Sequence, residues 1–203
     1  MTPTSEMRRI GAFGGTFDPI HRGHLEVATA CAQRLDLNPV LMIPSSQPPH
    51  RPAPRASAAD RLAMVELAVQ GRQPLVASDI EVRRGGVSYT VDTIRALAEL
   101  HPDAQLVLLL GWDAAADFRD WHEASVIGGL ARIAVINRTG STPPGVGLEG
   151  LGLPADALYL EVPSPSVSAT SVREALTQDS GDASFLPEGV AAYIREHDLY
   201  RDT

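Results

Sequence analysis

Ile10-Gly11-Ala12-Phe13-Gly14-Gly15-Thr16-Phe17-Asp18-Pro19-Ile20-His21-Arg22-Gly23-His24 runs from a short apolar segment into a glycine-led loop. The apolar run at 10–13 is too short for a helix and suits a strand, which Gly14 and Gly15 break. Beyond the loop, Leu25, Ala28, Ala32 and Leu35 recur at helical spacing. A second short apolar run at 40–43 is closed by Pro44, and the intervening helix is long enough to cross between parallel strands. Strand, tight loop, helix and strand make a βαβ unit.

The pattern continues outward. Residues 45–57 carry Pro48, Pro49, Pro52 and Pro54, which fix φ and remove backbone donors, so an exposed loop is expected there. Ser57 with Asp60 reads as a helix start, with Leu62, Val65 and Val69 on one face. Segments 75–77 and 80–84 look extended, and 90–100 looks helical. The continuous apolar run 106–110 suits a strand buried on both faces and ends at Gly111. Residues 115–130 read as helical in part, 133–136 as another buried strand, and 139–154, rich in Gly and Pro, as a surface connection. A strand at 158–162 precedes an S-x-x-E capping box at Ser171 and Glu174, and Pro187 suits the first turn of a helix through His197. This alternation predicts an α/β fold: a Rossmann-like open, mostly parallel sheet flanked by helices, forming one domain over 1–203.

Composition narrows the function classes. The 203 residues are 44% hydrophobic, enough for one sizeable core. Seventeen Lys and Arg against 25 Asp and Glu give a formal charge of -8, which opposes broad attraction to polymeric nucleic acid. A few locally placed Arg and His can still make a positive cleft for a small anion. Cys31 is the lone cysteine, which excludes an intramolecular disulfide and suits a reducing cytoplasm. No run nears the roughly 20 apolar residues that span a bilayer, and the first residues lack a signal-peptide core. Membrane insertion and secretion are not expected.

The 14–24 segment lies at the carboxyl end of the first strand, where such sheets bind ligands. Glycines allow close backbone approach, and free N–H groups with the helix dipole favour an anion there by about 0.3 to 1 kcal/mol. Phosphate is the natural occupant. His21 and His24, three apart, share one helix face and can converge on it. A pair of His near a helix start also serves a metal or surface polarity, but a zinc site would need further ligands. Farther on, Ser168 to Arg173 combines hydroxyls, a helix start and an arginine whose planar fork suits phosphate, and equally reads as an ordinary capped helix. Trp121 can be a core tryptophan or present its face to a ligand. Asp113 can cap the helix after the strand at 106–110. His50, Arg51 and Arg55 can close over phosphates from the proline-rich loop or stand as solvated charges.

Together GGTFDPIHRGH, Ser88-Tyr89-Thr90-Val91-Asp92-Thr93, Gly111-Trp112-Asp113, Phe118-Arg119-Asp120-Trp121, Ser168 to Arg173 and Leu186-Pro187-Glu188-Gly189-Val190 stand in a definite order. The set resembles the nucleotidyltransferase superfamily with an H-x-G-H motif, and in this long form its bacterial nicotinate-nucleotide adenylyltransferase family. That resemblance implies transfer of AMP from ATP to nicotinate mononucleotide, with Mg²⁺ accompanying ATP. It implies His21, His24 and Arg173 as the catalytic groups, and Gly14, Gly15, Thr16, Phe17, Asp113, Thr170 and Ser171 around ATP. Thr90, Trp121, His50 and Arg51 would hold the mononucleotide, Trp121 by stacking on the pyridine ring. Where the family usually has serine, this chain has Ala169. ATP and nicotinate mononucleotide are the expected partners, with a homo-oligomer left open. Transfer to nicotinamide mononucleotide or another phosphate such as phosphopantetheine is the alternative within the class, and a non-catalytic nucleotide sensor is the alternative outside it.

Overall fold

A computed structural model describes residues 7–49, 52–138, 148–165, 167–177 and 183–201. Its centre is a six-stranded sheet of β1 (Arg8–Gly15), β2 (Val40–Pro44), β3 (Leu75–Ala77), β4 (Ala104–Gly111), β5 (Arg132–Arg138) and β6 (Leu158–Val162) in the order β3-β2-β1-β4-β5-β6. All five ladders are parallel, with Gly11 opposite Val40 and Ile10 opposite Leu106. This is the Rossmann-like α/β sheet that the alternating pattern predicts.

Period-2 alternation sorts the strand side chains into two cores. Val107 and Leu109 of β4 join Val40, Met42, Ala134 and Ile136 on one face, while Leu106, Leu108 and Leu110 join Ile10, Ala12, Ile133 and Val135 on the other. The first face is covered by α1 (Arg22–Leu35), α2 (Ala58–Val69), α7 (Ala169–Thr177) and α8 (Glu188–Glu196). The second is covered by α4 (Thr90–Leu100), α5 (Trp112–Ala116) and α6 (Ala124–Leu130). Among the described residues no helix is long and apolar enough to cross a membrane.

Three local expectations are corrected. Residues 80–84 are not extended but form α3 (Ile80–Arg84), closed by Gly85 at φ 70°. The apparent alternation has another cause: Glu81 is buried and accepts from Thr93 Oγ1 at 2.6 Å, which a helical turn permits. The helix expected to open at Ser171 opens three residues earlier. Ser168 Oγ accepts from the Ser171 N–H at 3.0 Å and Ser171 Oγ from the Ser168 N–H at 3.1 Å, so Ser171 is the return partner in the capping box. The 45–57 loop is anchored where exposure alone was expected, with Ser45 and Ala56 both buried. Of the 139–154 connection, 139–147 lie outside the described residues.

Ser57 caps α2 as expected, accepting from the Asp60 N–H at 3.1 Å. Residues 115–130 split into the end of α5, a 3-10 turn at Phe118–Asp120 and α6. Cys31 is 0% exposed on α1, and burial pushes its thiol up to about 12. At about pH 8 the folded protein therefore leaves this thiol unreactive toward a disulfide reagent, whereas the unfolded chain, with an ordinary thiol near 8.5, reacts fully. Labelling followed by mass spectrometry in buffer and in concentrated guanidinium chloride checks this, and native labelling at the unfolded rate would contradict the burial.

Candidate active site

Strands step outward from β1 through β2 to β3, and from β4 through β5 to β6, so the order reverses between β1 and β4. Open parallel sheets bind ligands outside the carboxyl ends of strands at such a reversal. The 14–24 segment leaves β1 there, and Gly111 ends the neighbouring β4. A Cβ on Gly14 or on Gly111 would meet nothing within 4 Å. The space above both glycines is open to a ligand.

His21 takes the N-cap position of α1 with extended backbone, and its ring is buried. Its N–H donates to Nδ1 of His24 at 3.2 Å, and the two imidazoles stack with centroids 3.7 Å and planes 19° apart. An Nδ1 that accepts a hydrogen bond carries no proton, so neutral His24 bears its own at Nε2. Phe17, at φ 49°, sets its ring edge-on against His24 at 5.1 Å. Gly23 separates the pair for a steric reason. A Cβ there would lie 2.9 Å from Val167 Cγ1 and 3.1 Å from His21 Nδ1. The approach to α7 leaves room only for glycine.

Arg173 crosses this approach. Its Nη1 donates to the main-chain oxygen of Asp18 at 2.7 Å and its Nη2 to Thr170 Oγ1 at 3.1 Å. The guanidinium is thus held on the loop after β1, not free in solvent, and keeps further N–H donors for a phosphate. The hydroxyls of Ser168 and Ser171 are engaged in capping α7, with Ser171 Oγ also donating to Ser168 O at 2.8 Å. The capped-helix reading of this segment holds, and the helix also brings an arginine to the H-x-G-H loop. Thr16 and Phe17 lie in the same loop, Thr16 half-buried and Phe17 buried.

Beneath the loop sit two charged side chains that the motif reading missed. Asp18, 5% exposed, accepts from the Arg55 N–H at 2.8 Å through Oδ2, and through Oδ1 from the Ala56 N–H at 3.1 Å and the Tyr200 hydroxyl at 2.7 Å. Arg61, 1% exposed, donates to the carbonyls of Thr16 at 2.7 Å, Ser46 at 3.0 Å and Ala56 at 3.2 Å. Burial presses its guanidinium down and the charge of Asp18 opposes that. A signal for Arg61 was present: it shares the apolar stripe of Val65 and Ala68, where a charge needs a reason.

On the opposite side, Thr90 begins α4 and is half-buried. Ser88 Oγ accepts from the Ser46 N–H at 2.8 Å, and the Ser88 N–H donates to Gln47 O at 2.9 Å, tying the approach to α4 to the exit of β2. Glu81 supports this corner with Thr93, and burial pushes its carboxyl up. Trp121 is half-buried against Phe118, with ring centroids 5.6 Å apart, so one part is core and another reaches the surface. Tyr89 and His122 meet at 4.7 Å and join the segment before α4 to the one carrying Trp121. Asp113 does not cap α5. Gly111 holds that position with no side-chain bond, and Asp113 is exposed in the first turn. His50 and Arg51 lie outside the described residues.

The cytidylyltransferase-like family profile matches residues 12–175. A Pseudomonas fluorescens protein named probable nicotinate-nucleotide adenylyltransferase is 42% identical over 96% of this chain and 98% of its own length. A protein of the same name from Dehalococcoides mccartyi is 41% identical, covering 95% of this chain and 97% of the other. The chain belongs to the nicotinate-nucleotide adenylyltransferase family. Its fold is shared at 19% identity by Plasmodium falciparum nicotinic acid mononucleotide adenylyltransferase in complex with NaAD, with a TM-score of 0.75 over 95% of this chain and 97% of that one. The same malarial protein in complex with APC gives a TM-score of 0.71. As a member of this family the chain is a nucleotidyltransferase.

Gly23 offers a direct test of the packing. Gly23→Ala forces His21 or Val167 to move and costs about 1 to 3 kcal/mol of stability, as overpacking does. Displacement of His21 lowers turnover at least about tenfold at temperatures where the variant is fully folded. Melting curves and steady-state rates check both, and full turnover would show that the ring position is not critical.

Proposed function

We infer that this chain transfers AMP from ATP to nicotinate mononucleotide, giving nicotinate adenine dinucleotide and pyrophosphate in NAD biosynthesis. The observation that carries the reading is the bond from Arg173 to the carbonyl of Asp18, which joins the 168–173 segment to the H-x-G-H loop at the β1/β4 reversal. A phosphate oxygen of the mononucleotide bonds to the α-phosphorus of ATP as the bond from that phosphorus to the β-phosphate oxygen breaks. The nucleophile is already anionic, so no strong general base is needed. Alignment and stabilisation of charge on the leaving pyrophosphate supply the catalysis.

Roles follow from position. Gly14 and Gly15 let the triphosphate approach the backbone, with Thr16 and Phe17 continuing that wall. His24, its Nδ1 occupied by the His21 N–H, directs Nε2–H outward as a neutral donor to a phosphate oxygen. Arg173 binds phosphate oxygens with donors left over from Asp18, and Thr170 steadies it. Ser171 acts through the cap, and Asp113 reaches the ribose hydroxyls from its exposed turn. On the acceptor side, Thr90 lies near the pyridine carboxylate and the exposed part of Trp121 stacks on the ring, with His50 and Arg51 closing from the loop. Among the described residues no group of three or more His, Cys, Asp or Glu could hold a metal. Mg²⁺ would enter with ATP as its polyphosphate counter-ion. When bound, it neutralises phosphate charge.

Pyrophosphate release measured with ATP, Mg²⁺ and each mononucleotide in parallel tests the reading. Release with nicotinate mononucleotide is expected to exceed that with nicotinamide mononucleotide; no release at all would sink the enzyme reading, and the reverse order would sink the acceptor. His24→Ala is expected to lose at least about a hundredfold in kcat with an unchanged circular dichroism spectrum. Chelation of divalent cations should abolish turnover without lowering the melting temperature of the ligand-free protein. A fall in that temperature would instead reveal a metal held by the protein itself.

A further inference from the structure

Far along the sequence, Tyr200 reaches back to the loop after β1: its hydroxyl donates to Asp18 Oδ1 across 182 positions. The ring is 5% exposed within the core of α1, α2 and α8, and burial followed by the Asp18 bond pushes its hydroxyl far up, keeping it a donor. The turn that delivers it is strained: Asp198 and Tyr200 both have positive φ, 50° and 66°, in a stretch without glycine. Such a turn persists when its surroundings hold it, and here the Leu199 N–H bonds to Ile194 O at 3.0 Å and the hydroxyl bonds to Asp18.

Asp18 is held at further points besides Tyr200. Its carboxylate holds the N–H groups of Arg55 and Ala56, fixing the end of the proline-rich loop, and its carbonyl holds Arg173. Three residues later the chain reaches His21. We propose that Tyr200 is a positioning residue for the transfer, which rests on the adenylyl-transfer reading: by fixing Asp18 it sets the relative placement of the histidine loop, Arg173 and the proline-rich loop. It touches no reacting atom. Without the hydroxyl, Oδ1 loses its shortest bond and keeps the longer one from the Ala56 N–H, the carboxylate gains freedom to rotate, and the carbonyl under Arg173 moves with it.

Tyr200→Phe removes only that oxygen. Its kcat is expected to fall on the order of tenfold with KM for ATP within about twofold, because the loss lies in alignment. Its affinity for inorganic pyrophosphate, by titration calorimetry, should weaken by about the same factor as kcat. Ile194→Ala, which thins the same core without touching the hydroxyl, should lower the melting temperature yet keep kcat per folded molecule. Equal kcat and equal pyrophosphate affinity in folded Tyr200→Phe would overturn the proposal and leave the adenylyl-transfer reading intact. If the unaltered protein releases no pyrophosphate from ATP, that reading fails, and the calorimetric comparison still decides for or against the tie. If the unaltered protein turns over but binds no measurable pyrophosphate, the kcat comparison decides, and an unchanged kcat in Tyr200→Phe overturns the proposal. Should Tyr200→Phe not fold, Asp18→Asn, which turns one acceptor oxygen into a donor, must lower kcat in the same way; unchanged kcat overturns the proposal.

Discussion

A guanidinium buried under the loop after β1 is the constraint on which the site depends. Arg61 satisfies the carbonyls of Thr16, Ser46 and Ala56, three segments that share no secondary structure with one another. The buried Ala56 carbonyl would otherwise lose this donor at a cost of about 1 to 3 kcal/mol, and the half-buried Thr16 and Ser46 carbonyls at a smaller one. The charge is itself costly to bury, and the nearby carboxylate of Asp18 offsets part of that cost. Loop 14–24, the exit of β2 and the end of the proline-rich loop are therefore fixed as a group, and α2 carries the arginine that fixes them.

Around this anchor the sheet supplies direction. Parallel strands all deliver their following loops to one edge, and the reversal between β1 and β4 leaves a gap there that no crossover helix fills. The starts of α1 and α7 meet at that gap through Gly23 and Val167, so two helix N-termini lie together beside one arginine. A protein with a formal charge of -8 thereby keeps a local preference for anions.

Much of this was legible in the sequence, for identifiable reasons. The runs at 106–110 and 133–136 stood out because strands buried on both faces are apolar without interruption. The H-x-G-H loop stood out because glycine, histidine and a strand end coincide. Residues 80–84 misled because Ile80 and Val82 alternate with charges, while the burial of Glu81 depends on Thr93, a partner that local pattern cannot supply. Ser171 misled because Ser168 offers the same hydroxyl three residues earlier, and only the tertiary approach of Val167 decides between them. Asp18 and Tyr200 were invisible as a pair because their bond spans the chain.

The N-cap of α1 has a consequence for how this chain can change. Ser, Thr, Asn and Asp stabilise that position best, by about 0.5 to 2 kcal/mol over a residue that caps poorly. His21 occupies it instead and forms a reciprocal capping box with His24, its side chain accepting from the His24 N–H and the His24 imidazole accepting from the His21 N–H. The imidazoles thus do at this helix start what a Ser and a Glu do in the commoner capping box. Loss of either imidazole therefore strips one N–H of the helix start of its acceptor, so the two rings can be exchanged only for residues that restore the reciprocal pair.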